Sequence, residues 1–206
     1  MKSNIAATAA AGKSNAMTTP FHAGIDYGSK MAGTTCLCFR DGNRLKIRQS
    51  KKGEDADEFI LAWAQRHRPA HIFLDAPLSL PSVYTGEGSD YFYREADRQL
   101  GAMSPMFLGG LTARAMRLRS VLGRENIHTR EVYPAALARE LGLQKHYKKD
   151  IPLFKKALKK HVPSVVLPPI ANWHQADSLL AWLSGTRFLS GHARVVGLVH
   201  EGTIVI

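Results

Sequence analysis

Four acidic residues, Asp26, Asp75, Glu131 and Asp177, stand where the local pattern asks for a buried side chain or a sheet edge. Asp26 lies near the end of the strand-like run Phe21–Tyr27, just before Gly28-Ser29-Lys30. Asp75 closes the apolar run Ile72-Phe73-Leu74. Glu131 falls inside Ile127–Tyr133, on the same side as Ile127, Thr129 and Tyr133. Asp177 follows Trp173 by four residues and precedes Leu180 by three, so it shares the apolar face of a helix. A carboxylate in such a place costs on the order of several kcal/mol unless it is paired, protonated or bound to a cation. Each has an ordinary explanation singly, as a loop cap, an arginine partner or the edge of an apolar stripe. Four among only 17 acidic residues, on elements that adjoin, read as one site. Clustered carboxylates repel one another, and a hard divalent cation, Mg2+ or Mn2+, is their natural counter-charge. Two such ions held roughly 4 Å apart activate a water and stabilise a leaving oxygen in phosphodiester cleavage. Zinc fits poorly: the nine histidines are scattered and Cys36-x-Cys38 has no partner pair.

The elements that must position these acids follow from periodicity. Phe21–Tyr27, Gly33–Phe39 and Arg44–Gln49 are strand-like, and Asp41-Gly42-Asn43 between the last two is a hairpin signal, giving an antiparallel meander. Glu54-Asp55 open a helix whose Ala56, Phe59, Ile60 and Trp63 share one face, and Pro69 stops it. His71–Asp75 lacks alternation, as a strand buried on both faces does. Residues 76–105 show no clean period, which marks a long loop. A helix over Leu108–Leu122, a strand over Ile127–Tyr133 and a short helix over Pro134–Leu141 come next. A helix opened by Asp150 and Pro152, a long helix over Trp173–Leu189, and a hairpin of Arg194–His200 with Thr203–Ile206 complete the chain. This order predicts a mixed sheet flanked by helices.

The 206 residues are 45% hydrophobic and 22% charged, enough to bury a core without disulfides or a structural metal. Cys36 and Cys38 point to one face of a strand and do not pair, which suits a reducing, cytoplasmic setting. No run is long and apolar enough for a membrane span. Residues 1–20 read as a disordered tail or the scar of an expression tag (Ser14-Asn15-Ala16 before Met17), although the composition also admits a transit-like peptide. Residues 21–206 read as a single domain. The formal net charge is +11, and Lys2 and Lys13 supply only two of those charges. Such a domain attracts polyanions, with nucleic acid the expected partner.

The segments GIDYGSKMAGTTCLCF (24–39), IFLDAPLSLP (72–81), YREADRQLG (93–101) and EVYPAALARELG (131–142), with the late helix QADSLLAWL (175–183), resemble an uncharacterised family of predicted nucleases with an RNase H-like fold. The similarity spans most of residues 22–206. One departure is the order Ala176-Asp177, where that family's helix carries Asp-Ala. The resemblance implies an RNase H-like mixed sheet, an antiparallel three-strand meander plus parallel strands, and metal-dependent phosphodiester hydrolysis. It implies that Asp26, Asp75 and Asp177 are the catalytic, metal-binding acids of the first strand, the fourth strand and a late helix. Glu131 is a fourth catalytic acid whose counterpart in that superfamily varies.

Supporting residues carry two readings each. Lys30, after the first strand's turn, is a phosphate binder or a surface lysine. Arg94 and Asp97 form an intrahelical pair, and the resemblance turns them toward substrate. Seven lysines against Asp150 in residues 145–160 track a phosphate backbone or form a solvated face. Tyr84, Tyr91, Phe92 and Tyr93 stack bases or make the loop's own small core. Beside the nuclease stand a non-catalytic nucleic-acid-binding module of the same fold and, more distantly, an ATPase related to actin and sugar kinases, whose phosphate loop GIDYGS…GTT is similar to. Such ATPases enclose a nucleotide between two domains, and this chain has room for one.

Overall fold

A computed structural model describes residues 20–206; the expected tail lies, apart from Pro20, outside the described residues. The first three strands, β1 (His22–Asp26), β2 (Cys36–Asp41) and β3 (Arg44–Gln49), form the antiparallel meander, with Gly42 taking φ 60° in the Asp41–Arg44 hairpin turn. Helix α1 (Ala56–His67) starts where the Asp55 side chain accepts the N–H groups of Asp57 and Glu58. It returns the chain to β4 (His71–Asp75), which runs parallel to β1 with Asp26 beside Asp75.

Residues 76–105, expected as loop, contain a helical turn at Ser82–Thr85 and the short helix α2 (Glu95–Leu100). Two-turn helices leave too few residues to show a period. After α3 (Pro105–Leu108) and α4 (Gly110–Arg124), β5 (His128–Val132) pairs parallel with β4. Helices α5 (Pro134–Glu140), α6 (Ile151–Leu158) and α7 (Trp173–Leu189) lead into a terminal hairpin, β6 (Val195–Leu198) and β7 (Gly202–Val205). The hairpin extends the sheet: β7 pairs parallel with β5, so the order is β3-β2-β1-β4-β5-β7-β6. The β3-β2-β1-β4-β5 portion, with only β2 antiparallel to its neighbours, is the RNase H-like core.

Strand alternation divides the core in two. Ala23, Ile25, Ile72 and Leu74 meet α1 and α4 on one face. The other face receives α7, packed with α5 and α6 around Leu137, Phe154, Leu179 and Leu180. Every residue of α7 from Ala176 to Gly185 is buried. Gly24 permits this closeness, because a Cβ there would lie 1.9 Å from the backbone N of Trp182. From Trp182 back to Asp177 the helix covers about 7.5 Å, and from Gly24 to Asp26 the strand covers about 6.6 Å. That one close contact therefore sets Asp177 level with the strand end.

Candidate functional site

Asp26 and Asp75 end adjacent parallel strands and share parity with Gly24 and Phe73, the residues under α7. Asp177 reaches the same rim from the helix. Burial first, and then the neighbouring Asp177 carboxylate, push Asp26 up to about 6, against the opposing pull of His174 and Lys148. Burial, reinforced by Asp26 and Asp177, raises Asp75 well above the usual carboxylate range. Asp75 has no hydrogen-bond donor among the described residues, whereas the other two acids do. His174 Nδ1 lies 2.8 Å from Asp26 Oδ2. Tyr147 donates its hydroxyl to Asp177 Oδ1 at 2.7 Å, and the Lys148 ammonium pairs with Asp177 Oδ2. Burial raises Asp177 as well, opposed by Lys148 and Tyr147. Beneath them Cys36, the cross-strand partner of Asp26, is buried, and burial together with Asp26 pushes its thiol up to about 12, so it is an inert floor.

Glu131 stands apart from Asp26 and Asp177, although it raises Asp75 further by repulsion and lines one small cavity with it. It pairs in register with Leu74, and Arg130 beside it reaches Phe188 of α7, so Glu131 leaves the sheet on the face opposite Asp26 and Asp75. There it is enclosed by Arg94, whose Nη1 and Nη2 donate to its two oxygens at 2.7 and 2.6 Å, and by the Leu78 N–H at 2.8 Å. Burial raises its carboxyl, opposed by those bonds. Three hydrogen bonds thus hold Glu131 inside the protein, and the structure does not bring it to the rim that Asp26 and Asp177 share.

Arg94 and Asp97 are held inside the protein in the same way. Arg94 is fully buried, and all five of its side-chain N–H groups are placed: three bonds to Asp97 and Ser79, two to Glu131. Neither it nor Asp97 offers a surface to substrate. The pair knots the 78–105 segment to β5, and Glu201 strengthens the knot by accepting the N–H groups of Ser82 and Glu95. Lys30 pairs with Asp55 at 3.1 Å, on the N-cap of α1, so its head is engaged there and not at Asp26.

Three residues of the site were not identified from sequence. His174 sits three residues before Asp177 on α7, a same-face spacing that was legible. Tyr147 and Lys148 carry no such signal. Lys148 takes φ 60°, a left-handed conformation that costs a side-chain-bearing residue on the order of 1 kcal/mol, and nothing in the local sequence marks a turn there.

No protein-family model matches the chain, and no curated protein does. Among solved structures, one of Thermus thermophilus RuvC resembles it with 16% sequence identity and a TM-score of 0.44, covering 86% of this chain and 98% of that one. What stands of the resemblance read from sequence is the fold, and it stands on the strand order and pairing. No described helix is long and apolar enough to cross a membrane.

Among the described residues, no group of three or more His, Cys, Asp or Glu side chains is drawn together as a ready metal site. The donor chemistry nonetheless fits a hard divalent ion. Asp26 and Asp75 present oxygens at adjacent strand ends, the oxygen donors such an ion takes, and burial with repulsion from neighbouring acids raises their proton affinity. Lys148 supplies opposing charge at Asp177.

Proposed function

We propose that this chain is a divalent-metal-dependent nuclease whose working acids are Asp26, Asp75 and Asp177. What supports the reading is that Asp26 and Asp75 end neighbouring strands and that Asp177, on α7, is near enough to raise both by repulsion, with burial raising all three. Asp26 and Asp75 would hold Mg2+ or Mn2+, and Asp177 would complete the set when Lys148 moves off it. Bound there, the metal would supply an activated water and charge stabilisation at phosphorus. The chain's own groups do the rest: His174 orients Asp26, Tyr147 orients Asp177, and Lys148 holds a positive charge at the rim where a phosphate would arrive. The basic balance of the whole chain supports a nucleic-acid substrate. Both cysteines are free and buried, in keeping with a reducing, cytoplasmic setting.

The test is cleavage of labelled single-stranded, duplex and junction DNA and RNA with Mn2+. Wild-type protein is expected to cut at least one substrate, and Asp26→Asn to lose that activity with its fold intact. Cleavage retained by Asp26→Asn would remove the mechanism. A second reading, a non-catalytic binding module, is favoured by one observation, the Lys148 ammonium already seated on Asp177. It requires nucleic-acid binding that neither Mn2+ nor Asp26→Asn alters.

A further inference from the structure

Of the aromatics expected either to stack bases or to form a private core, Tyr84, Tyr91 and Phe92 are roughly half exposed or more and Tyr93 is half-buried against Phe107. Phe107, not singled out from sequence, is exposed too, and all of them fall within one stretch of 24 residues. Exposed phenyl rings on a loose loop would be unremarkable, since scattered apolar surface is normal. These are held in place. Ser104, itself fully buried, accepts the Met106 N–H at 3.0 Å and donates to the Phe92 carbonyl, so one side chain fixes the backbone under both Phe92 and Phe107. Asp90 accepts the N–H groups of Phe92 and Tyr93 at 2.8 and 3.0 Å and is itself held by Arg98. The Phe92 and Phe107 rings end 5.7 Å apart, more than half exposed, on a segment anchored by the buried Arg94 knot.

The segment that carries the platform reaches Asp75. Met103, next to Ser104, lines a small cavity of about 50 Å³ together with Asp75, Pro77, Asp97 and Glu131. Asp177 meets Lys148, in the segment that also exposes Lys145 and Lys149, neither of which has a carboxylate partner among the described residues. Asp75 therefore borders the segment that carries the aromatic rings, and Asp177 the lysine-rich one. Lysines grip phosphates whatever the base sequence, whereas flat rings bind only bases whose faces are free. In a continuous duplex those faces are already stacked.

We infer that Phe92 and Phe107 form a base-stacking platform, and that the polymer reaching these acids presents unpaired bases, as a single strand or a strand opened from a duplex. This names the substrate class of the nuclease reading and rests on it for the chemistry, but not for binding. A fixed platform loses little side-chain freedom on binding, which favours affinity.

The test is fluorescence anisotropy in EDTA, so that no cleavage occurs, using a labelled single-stranded DNA and the blunt duplex of the same sequence. Wild type is expected to prefer the single strand by about tenfold, the scale of one stacked base. F92L/F107L keeps apolar bulk without π-faces and is expected to lose about that preference, with duplex affinity changed less than twofold. F92Y/F107Y is expected to retain it. Since the rings are exposed, melting temperatures should match across the three proteins, and binding differences then report stacking. Equal affinity of wild type for both probes, or unaltered single-strand binding by F92L/F107L, would overturn the platform. So would loss of self-association in F92L/F107L without a change in DNA binding, which would make the surface a protein interface. If the binding pattern holds but Mn2+ produces no cleavage, the platform stands and the nuclease reading falls.

Discussion

Asp26→Asn is expected to stabilise the metal-free protein in neutral solution, by an amount that depends on pH in one direction. Burial and Asp177 push the Asp26 carboxyl up to about 6, from an ordinary 3.8. Its side chain is 14% exposed, so solvent screens the effect little. A gap of about 2 pH units at about 1.4 kcal/mol each gives an upper figure of about 3 kcal/mol. The sign follows from proton binding. The folded chain holds a proton that the unfolded chain releases, so this stabilising contribution is complete below about pH 4 and is lost as pH rises through about 6. Above that, wild type folds around an ionised carboxylate beside Asp75 and Asp177, and asparagine does not. Urea unfolding of both proteins from pH 4 to 8 should show curves that coincide near pH 4, diverge toward pH 6 and stay apart above it, with the variant more stable. Added Mn2+ should reverse the order by stabilising wild type alone. A variant less stable than wild type at pH 8, or a difference independent of pH, would refute the picture of crowded, buried acids.

Other perturbations test the scaffold around the site. Arg94→Met strips the charge from a fully buried knot and leaves Glu131 and Asp97 unpaired; urea unfolding should show a loss of about 3 kcal/mol or more, and a loss under about 1 kcal/mol would contradict the structural role given to Arg94. Gly24→Ala places a Cβ 1.9 Å from the Trp182 N, so α7 must move; about 3 kcal/mol of destabilisation is expected, with weaker Mn2+ binding by calorimetry because Asp177 moves too. Lys148→Ala removes the cation seated on Asp177 and should tighten Mn2+ binding about tenfold, the scale of one like charge a few ångströms away at the protein rim; weaker binding would show that Lys148 assists the metal.

Much of this arrangement was legible from sequence, because burial leaves a local signature. The unalternating Ile72-Phe73-Leu74 run marked a buried strand that delivers Asp75 to its end, and the apolar neighbours of Asp177 on α7 marked a buried helix that carries it. The same lack of alternation hides where Glu131 points. A strand buried on both faces shows no parity of its own, so only the pairing of Leu74 with Glu131 reveals that Asp75 and Glu131 leave opposite faces. The three-residue spacing of Arg94 and Asp97 allows the pair they form, but their complete burial depends on Glu131 and Ser79, which are distant in sequence. Lys148 belonged to a lysine-rich stretch in which no local feature distinguishes it from Lys145 or Lys149. The hairpin was visible, whereas the insertion of β7 beside β5 is a long-range choice with no local signal.

The central claim is that Asp26, Asp75 and Asp177 form one cation-binding site, and calorimetric titration of Mn2+ tests it without any assumption about substrate. Wild type is expected to bind, with Asp26→Asn and Asp75→Asn each losing that binding and Glu131→Gln retaining it. Absence of Mn2+ binding by wild type, even with nucleic acid added, or unchanged binding by Asp26→Asn, would contradict the claim and leave the binding module as the better account.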